Sequence, residues 1–457
     1  MIGKIVKLGS VITHRKEFII IKDSEEYKRC RVQVNRKGIV LRDIVKGSSI
    51  NTKKQQLCKT GDFLVAEIDA KVGGYGFVPE DLDGAIVSSH YFLFDVDESK
   101  MLSSYLAWLI KTDIIQEQIN SKGSTNYAAI RPKNVLEFDV PLPNLDEQAV
   151  IIERLESFAS RHSTTLTEIN QQRVYLQLLR QTILQEAVQG KLTQRDPSDE
   201  PASVLLQRIK AEKQKLVKEG KLKKEKELPA IQEEEILFKL PQGWVWCRLA
   251  EVCTLITDGT HLTPKYIDKG QIFLSAQNVK PFRFIPQNHR YVSDEDYQTY
   301  IKSKKAEKGD ILMTRVGAGI GEATVIDIDL NFAFYVSLCL LKPFKNGIFP
   351  HYIELYLNSP LGRGHSTSKT LGRGVSAGNL NLNLIRSFEL PLPPFEEQQR
   401  IVAKVKALQQ HFDALEAQME QSWEQATQLL QAVLKEAFEG EGKDYKEDEP
   451  LSIAAEA

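Results

Sequence analysis

Two short segments of the chain combine the groups that bind phosphates and base edges. Residues 363–379 read RGHSTSKTLGRGVSAGN and residues 122–133 read KGSTNYAAIRPK. Arg, Lys and Ser/Thr side chains donate to phosphate oxygens and bases, and glycine allows the backbone to approach closely. Each segment alone could be a surface loop, but two of them, each placed before a P-L-P and a long helix, favour DNA binding. The candidate contacts are Lys122, Ser124, Asn126, Arg131 and Lys133 in one segment, and Arg363, Lys369, Arg373 and Asn379 in the other.

Two motifs look catalytic, but the sequence supports neither of them. Leu392-Pro-Pro-Phe395 is like the N/D-P-P-Y/F signature of amino-methyltransferases, in which Asn or Asp accepts hydrogen bonds from the target amine. Leucine cannot accept them. Glu67-Ile-Asp-Ala-Lys71 is like the end of a metal-dependent nuclease site, but this triplet is common by chance, and the second half of the chain has Arg315-Val-Gly317 in the same place. We therefore predict neither methyl transfer nor cleavage by this chain.

Nucleotide and metal sites are also unsupported by the sequence. Gly317-Ala-Gly-Ile-Gly321 precedes a predicted strand, whereas a phosphate-binding loop opens a helix, so the glycines predict a hairpin turn. The G-x-x-x-x-G-K-S/T motif of ATPases does not occur. The five cysteines are scattered and form no C-x-x-C pair, which favours buried reduced thiols over zinc ligands or disulfides. We predict no catalytic residue, metal or cofactor site in this chain.

Charge and hydropathy restrict the class and the compartment. The formal net charge is −1, yet residues 1–60 hold 15 basic and 5 acidic residues. A basic first segment is expected if that surface faces phosphate, although a solvated basic face would look the same. The longest nearly uninterrupted apolar stretch, residues 332–341, is about half of a membrane span and predicts one buried strand. The N-terminus lacks the apolar core of a signal peptide, so we expect a cytoplasmic protein that does not enter the membrane.

The elements that must position the candidate contacts occur twice. PLPNLDEQAVIIERL begins at Pro141 and PLPPFEEQQRIVAKV begins at Pro391, an offset of 250 residues. The globular segments repeat more loosely, since Gly61-Asp-Phe-Leu corresponds to Gly309-Asp-Ile-Leu at an offset of 248. Drifting offsets with shared turn residues predict one fold that carries different side chains. Each copy is then a variable globular unit followed by a more constant helix.

Heptad patterns follow both P-L-P motifs. Apolar positions recur in alternating steps of four and three, which is typical of coiled-coil seams, and predict two helices of ~50 Å. Polar residues in the first seam suggest register control or a partner contact. The predicted seams are Ile151, Leu155, Phe158, His162, Thr165, Ile169, Gln172, Leu176, Leu179 and Ile183, and Ile401, Val405, Leu408, Phe412, Leu415, Met419, Ser422, Ala426, Leu429 and Val433.

The second globular copy reads as short strands, glycine-rich turns and a helix. Residues 309–316 and 323–328 predict strands, and residues 351–357 predict a helix. Between the copies, residues 204–216 predict a short amphipathic helix, and the Lys/Glu run that ends at Glu235 predicts a solvated connector.

The order and spacing of these pieces resemble type I restriction–modification specificity subunits. The resemblance covers nearly the whole chain, although the D-G-T-H stretch at residues 258–261 has no evident equivalent in residues 1–60. It adds Asp258, Thr260 and His261 to the candidate DNA contacts. The pieces that carry it are the P-L-P-x-x-x-E-Q starts at Pro141 and Pro391, Leu240-Pro-Gln-Gly-Trp-Val-Trp246, Thr257-Asp-Gly-Thr-His-Leu-Thr-Pro264, Gly309 to Gly321, and Pro201-Ala-Ser-Val-Leu-Leu206.

The resemblance implies an α+β fold with two pseudo-repeated α/β target-recognition domains separated by two long antiparallel coiled-coil helices. Each domain would read one half of a bipartite, asymmetric DNA target, and the helices would set the distance between the halves. The implied segments are recognition domain 1 (1–140), helical spacer 1 (141–195), a charged connector with a short helix (196–239), recognition domain 2 (240–390), helical spacer 2 (391–440) and an acidic, disordered tail (441–457).

The resemblance also implies partners that supply the chemistry. Two methyltransferase subunits would bring S-adenosylmethionine, and restriction/translocase subunits would bring ATP and Mg, while this chain binds double-stranded DNA without catalysis. Two other interpretations stay open. The chain could be a fragment of a fused restriction–methylation enzyme, or a coiled-coil scaffold without a DNA role.

Overall fold

The computed structural model describes residues 3–121, 129–224, 227–368 and 379–439. The chain divides into two units, residues 1–170 with 419–457 (unit 1) and residues 171–418 (unit 2). Several predicted features lie outside the described residues, namely the acidic tail 441–457 and the candidate contacts Lys122, Ser124, Asn126, Lys369 and Arg373.

The described part of unit 1 forms three sheets and the helices that cover them. A four-stranded antiparallel sheet has the order β2-β10-β7-β8, a five-stranded sheet has the order β3-β6-β9-β4-β5, and β1 pairs with β11. The elements are β1 (Lys4–Lys7), β2 (Ile12–Arg15), β3 (Phe18–Ile20), β4 (Glu26–Gln33), β5 (Gly38–Lys46), β6 (Lys54–Leu57), β7 (Phe63–Ala66), β8 (Tyr75–Phe77), β9 (Ile86–Val87), β10 (Tyr91–Val96), α1 (Ser103–Leu109), α2 (Asp113–Ser121), α3 (Pro132–Leu136), β11 (Asp139–Leu142) and the first part of α4 (Leu145–Val188).

Unit 2 contains a second four-stranded antiparallel sheet, of order β13-β21-β18-β19. A three-stranded sheet of order β17-β14-β20 and the pairs β12-β22 and β15-β16 complete its described strands. The elements are α5 (Ala202–Lys218), β12 (Val245–Arg248), β13 (Cys253–Asp258), β14 (Gln271–Leu274), β15 (Val279–Lys280), β16 (Arg283–Phe284), β17 (Arg290–Val292), α6 (Asp294–Ile301), β18 (Ile311–Thr314), β19 (Ala323–Val325), β20 (Phe332–Phe334), β21 (Leu338–Pro343), α7 (Pro350–Asn358), α8 (Pro360–Ser368), α9 (Leu382–Arg386), β22 (Glu389–Leu392) and α10 (Phe395–Glu439), of which the last part belongs to unit 1.

The same strand order occurs in both units, which confirms the predicted pseudo-repeat and the α+β class. The terminal pair β1-β11 of unit 1 corresponds to β12-β22 of unit 2, and both pairs are antiparallel. The sheet β2-β10-β7-β8 corresponds strand for strand to β13-β21-β18-β19. The five-stranded sheet of unit 1 has no counterpart of equal strand order among the described strands of unit 2, so the units differ outside the shared sheet.

The corresponding central strands β7 and β18 are buried throughout because both faces of each strand are covered. In β7, Phe63 and Val65 pack into one core cluster, whereas Leu64 and Ala66 pack into another. Alternate residues of a strand point to opposite faces, so the sheet separates two cores. The corresponding strand β18 divides its residues in the same way between two clusters.

The repeated Gly-Asp pair ahead of each central strand closes a turn. Gly61 and Gly309 have φ values of 83° and 91°, in the left-handed region that favours glycine. Asp62 Oδ2 accepts from the Lys59 backbone N–H at 2.6 Å, and Asp310 Oδ2 accepts from the Glu307 N–H at 2.8 Å. This sequence repeat therefore has a structural role.

The two long helices pair antiparallel within each unit. In unit 1, Leu155 near the start of α4 shares a core cluster with Leu434 and Phe438 near the end of α10. In unit 2, Arg180 lies in the later part of α4, and its Nη2 donates at 2.7 Å to Oδ1 of Asp413, which lies in the earlier part of α10. As the residue number rises along one helix, the partner's number falls, which confirms the predicted antiparallel arrangement.

One row of the predicted heptad seams is confirmed. The other holds only at its first two positions on each helix, where Ile401 is buried and Ile151, Phe158 and Leu408 are half-buried, and it is wrong farther along. Ile169 and Leu176 on α4 and Phe412 and Met419 on α10 are buried, as predicted. The alternate row lies one residue later than predicted: Thr165, Gln172 and Leu179 are exposed, whereas residues 166, 173 and 180 are half-buried. On α10, Leu415 and Leu429 are 47% and 51% exposed. Apolar steps of three and of four residues both keep a stripe on one face of a helix, so the sequence alone did not determine which of two adjacent residues faces the other helix.

The predicted single strand over residues 332–341 is wrong. The structure has two strands there, β20 and β21, which belong to different sheets. A turn closed by the hydrogen bond from Leu338 N to Tyr335 O, at 3.0 Å, separates them. The predicted hairpin turn at residues 317–321 is confirmed, since β18 pairs antiparallel with β19. The predicted helices at 204–216 and 351–357 are also confirmed, as α5 and α7.

The predicted connector is partly built into unit 2. α5 buries Ala202, Leu205 and Ile209 in the largest core cluster of that unit. Farther along, the carboxylate of Glu235 lies 2.8 Å from Arg248 Nη2. No described helix has an apolar stretch long enough to cross a bilayer.

Candidate nucleic-acid interface

One buried arginine joins three distant segments of unit 2. Arg315 follows β18, and its side chain is 8% exposed. Its Nη1 donates to Asp258 Oδ2 at 2.6 Å, at the end of β13, and its Nη2 donates to Asn379 Oδ1 at 2.9 Å. Its Nε donates to Leu380 O at 3.0 Å. The sheet order brings the ends of β13 and β18 near one another, and the arginine fixes the end of the 363–379 segment to them.

The loop after β13 lies close against the backbone at the end of β20. A Cβ on Gly259 would lie 2.2 Å from Phe334 O, so a larger residue would force the backbone apart. The Lys304 Nζ donates to Gly259 O at 2.7 Å. Burial lowers the pKa of Lys304 from its ordinary value. The D-G-T-H loop is therefore held by two side chains, those of Lys304, which follows α6, and Arg315.

Thr260 and His261, both predicted contacts, have different environments. Thr260 is buried, and its Oγ1 accepts from the backbone N–H of Leu262 at 3.2 Å. His261 has a side chain that is 69% exposed, with its Nε2 3.0 Å from Asp258 Oδ2. The loop presents His261 to solvent, whereas Thr260 supports the loop itself.

Arg363 lies on α8 beside the glycine-rich turn. A Cβ on Gly321 would lie 3.2 Å from Arg363 Nη1 and 2.7 Å from Ser366 Cβ, so glycine lets the helix approach the turn. Within the described part of the chain, the buried Nη1 of Arg363 has no hydrogen-bond partner. Burial lowers the pKa of Arg363. A buried guanidinium nitrogen of this kind suits an anionic ligand such as a phosphate.

Unit 1 has an acidic residue where unit 2 has Arg315. Glu67 follows β7, and its side chain is 10% exposed. Its Oε1 lies 2.6 Å from Arg131 Nη1, and its Oε2 lies 2.6 Å from His90 Nδ1. The side chains of Arg131 and His90 are 67% and 71% exposed. Lys133, two residues beyond Arg131 at the start of α3, is also exposed.

The placement of Glu67 also explains the nuclease-like triplet. Its carboxylate is paired with Arg131 and His90, whereas Asp69 lies on a following 3-10 turn, Asp69–Val72. Among the described residues, no group of three or more His, Cys, Asp or Glu side chains is placed to hold a metal ion. The arrangement can bind and orient, with a buried carboxylate that fixes two exposed donors.

Sequence reasoning missed the central residues of both sites. It treated Glu67 and Arg315 only as positions in rejected motifs. A usable signal was present, because each is a charged residue directly after a strand of four apolar or buried residues, at the same place in the two copies. Of the predicted contacts within the described residues, Asp258, His261 and Asn379 come together around Arg315, while Arg363 lies at the neighbouring turn.

The fold and these sites define a duplicated protein with a candidate binding site at the strand ends of each copy. The family model of the type I restriction modification DNA specificity domain matches residues 4–172 and 241–425. The two matches together cover well over half of the chain, so the chain belongs to the family of type I restriction–modification DNA specificity proteins.

Individual relatives agree with the family match. The chain is 32% identical over 237 residues to the EcoAI specificity subunit of Escherichia coli, a match covering 50% of this chain and 39% of the relative. It therefore spans about two-fifths of that relative's length. The EcoBI specificity subunit of E. coli is 24% identical over 437 residues, covering 92% of this chain and 82% of the relative.

A solved structure supports the fold. A chain from a type I R-M system, studied for complex assembly and conformational transition, matches with a TM-score of 0.67 at 21% identity. The match covers 96% of this chain and 97% of the solved chain.

Proposed function

We propose that this protein is the DNA specificity subunit of a type I restriction–modification complex and has no catalytic activity of its own. Units 1 and 2 each bind one half of a bipartite, asymmetric target in double-stranded DNA. The observation that carries the proposal is that one sheet occurs twice, with Glu67 in one copy and Arg315 in the other at the same strand end. Two copies of one scaffold with different side chains suit the reading of two different half-sites.

The chemistry of the strand-end sites supports DNA as the ligand. Unit 1 presents Arg131 and His90 on a buried carboxylate, and unit 2 places the partly buried Arg363 beside a glycine turn. Guanidinium groups bind phosphates and guanine edges better than other side chains do. Residues 122–128 and 369–378, which carry further predicted cations, adjoin these sites in sequence.

The proposed partners supply the reactions. Two methyltransferase subunits bring S-adenosylmethionine, and restriction/translocase subunits bring ATP and Mg, in the cytoplasm. In unit 2, one face of α4 exposes Val174, Tyr175 and Leu178 by 63%, 66% and 63%. Residues three and four apart lie next to one another on a helix, and Leu178 is four residues from Val174 and three from Tyr175, so these apolar groups form a patch that suits a protein partner. We assign this patch to a methyltransferase subunit.

The test of function is genome-wide. Host DNA is sequenced with detection of methylated bases, with and without this gene, in the presence of the methyltransferase genes. We expect one split motif to be methylated only when the gene is present. Unchanged methylation would contradict the proposal. If the purified chain methylates DNA with S-adenosylmethionine and no partner, it is a fused enzyme; if the complex shows no salt-dependent DNA affinity, the chain is a scaffold without a DNA role.

The docking patch is tested by charge insertion. Tyr175→Asp places a carboxylate in the apolar patch, so co-purification with the methyltransferase subunit should be lost. Val204→Asp is the matched control, because Val204 is 45% exposed on α5 of the same unit but outside the patch. Equal co-purification of both variants would show that the patch is not the docking surface.

A further inference from the structure

The backbone contacts of Glu67 and Arg315 show that the two residues hold the same position. The Ile130 N–H donates to Glu67 O at 2.9 Å, and the Leu380 N–H donates to Arg315 O at 2.9 Å. Ile130 and Leu380 are 250 residues apart, the offset of the sequence repeat. In both units, the residue that follows β7 or β18 therefore accepts a backbone hydrogen bond from a residue near the end of the candidate DNA-binding segment.

The other backbone hydrogen bond agrees. Glu67 N donates to His90 O at 2.8 Å, and Arg315 N donates to Ser337 O at 2.9 Å. Each acceptor lies just before the strand that pairs with the central one, β10 or β21. The scaffold around the position is the same in the two units, and only the side chain differs.

The side-chain charge at this shared position is reversed, and so is the polarity of the groups around it. Glu67 accepts from two side chains, Arg131 and His90, that are mostly exposed. Arg315 donates to Asp258 and Asn379, which are acceptors in these contacts. Unit 1 thus presents hydrogen-bond donors at its strand end, whereas unit 2 presents acceptor groups and His261.

We infer that Glu67 and Arg315 are positioning residues that set which hydrogen-bonding groups each unit presents to the bases, and that Arg131 in unit 1 binds a guanine. This inference rests on the proposed DNA-binding function. Arg131 offers a planar set of five N–H donors, and a carboxylate that binds one end of it orients the rest. The guanine O6 and N7 atoms are two adjacent acceptors in the major groove and match a guanidinium.

Phosphate binding is the competing role for Arg131, and the geometry favours base recognition. Phosphate contacts need charge but tolerate many orientations, whereas a base edge needs a fixed guanidinium plane. Arg131 Nη1 lies 2.6 Å from a carboxylate that is 10% exposed, so one end of the guanidinium is anchored and its plane is restricted. Glu67 partly neutralises the charge of Arg131, and this weakens attraction to a phosphate more than it weakens hydrogen bonding to a base.

The experiment uses the full chain assembled with its methyltransferase subunits and the target found by methylation sequencing. Affinity is measured by competition against every single base-pair substitution in both halves of the target. We expect Glu67→Gln and Arg131→Lys to reduce discrimination at one G·C pair, in one half, by about 10-fold. Arg315→Lys should reduce discrimination only in the other half. Glu80→Gln, a change of an exposed acid in unit 1, is the matched control and should leave the profile unchanged.

A chemical probe separates base from phosphate recognition. Replacing the guanine with 7-deazaguanine removes the N7 acceptor, so it should weaken binding by the wild-type complex about 10-fold and leave binding by an Arg131→Ala complex, which has no side-chain donor there, nearly unchanged. A uniform loss of affinity over all sequences would overturn the inference, as would loss of discrimination in both halves or a profile like that of Glu80→Gln. If Glu67→Gln fails to fold, Arg131→Lys and the deazaguanine probe decide the question. A wild-type complex without sequence preference would instead overturn the proposed function.

Discussion

Replacing Gln398 with alanine should loosen the start of α10 from the globular part of unit 2. Gln398 is fully buried, and its Oε1 accepts from the Phe349 N–H at 2.8 Å. Its Nε2 donates to Pro393 O at 3.1 Å and lies 3.4 Å from Gly347 O. The last residue of the P-L-P-x-x-x-E-Q motif therefore fastens the helix start to the loop before α7.

Unit 1 repeats this arrangement. Gln148 Oε1 accepts from the Leu102 N–H at 2.8 Å, and its Nε2 donates to Lys100 O and Pro143 O, both at 2.9 Å. Gln148 is also fully buried. The chain thus carries an internal control, in which the same side chain makes the same three contacts in the other unit.

The magnitude follows from the groups left without partners. Gln398→Ala removes three hydrogen bonds and leaves one N–H and two carbonyls facing a small cavity. A buried polar group without its partner costs about 1–3 kcal/mol. Phe349 is only half-buried, so water can reach part of the site and recover some of this energy. We expect a loss of about 2–4 kcal/mol in the free energy of local opening.

Hydrogen exchange with mass spectrometry is the appropriate assay, because a chain of two units need not unfold in one step. Gln398→Ala should speed exchange at residues 347–357 and 395–405 and leave residues 100–106 and 145–155 unchanged. Gln148→Ala should do the reverse. A loss below 1 kcal/mol, or equal effects in both units, would refute the assignment of this motif as a fastening between helix and globular unit.

Three further outcomes follow from single residues. Gly309→Ala should destabilise unit 2 by about 1–2 kcal/mol in urea denaturation, because Gly309 has a φ of +91°, which an L side chain rarely adopts, although space for a methyl group is available. Gly364→Ala is the control and should not destabilise unit 2, because Gly364 lies within α8 without a positive φ. Cys247 and Cys339 should resist iodoacetamide at pH 8 until the protein unfolds, because burial raises the pKa of both thiols; rapid native labelling would contradict their placement. Burial raises the pKa of Glu397, so ionisation of this carboxyl group opposes folding as the pH rises. Glu397→Gln should therefore increase the free energy of unfolding of unit 2 more at pH 7 than at pH 4. An equal change in that free energy at both pH values would disprove this.

Much of the architecture could be predicted because it depends on local pattern. The P-L-P motifs marked the starts of α4 and α10, and the repeated Gly-Asp pair marked the turns before β7 and β18. The glycines of 317–321 marked the hairpin between β18 and β19. Each of these signals lies within a few residues of the feature that it specifies, so no tertiary contact was needed to recognise it.

The errors arose where two local solutions were nearly equal. Leu429 and Leu430 are both apolar, so either residue could have joined the seam. Packing between the helices selected Leu430, which is half-buried, and left Leu429 exposed. The apolar run over residues 332–341 suited one strand, but the turn at Tyr335 divides it between two sheets.

The sequence by itself determined that the protein has two copies of one globular unit, each joined to a long helix, because repetition and heptad spacing are properties of the chain. Only the tertiary structure decided which side chains form each site. Asp258, Arg315 and Asn379 are far apart in sequence, and they meet because β13 and β18 flank β21 in one sheet and the chain returns beside them at residue 379. Contacts between distant residues depend on strand order, which local patterns do not encode.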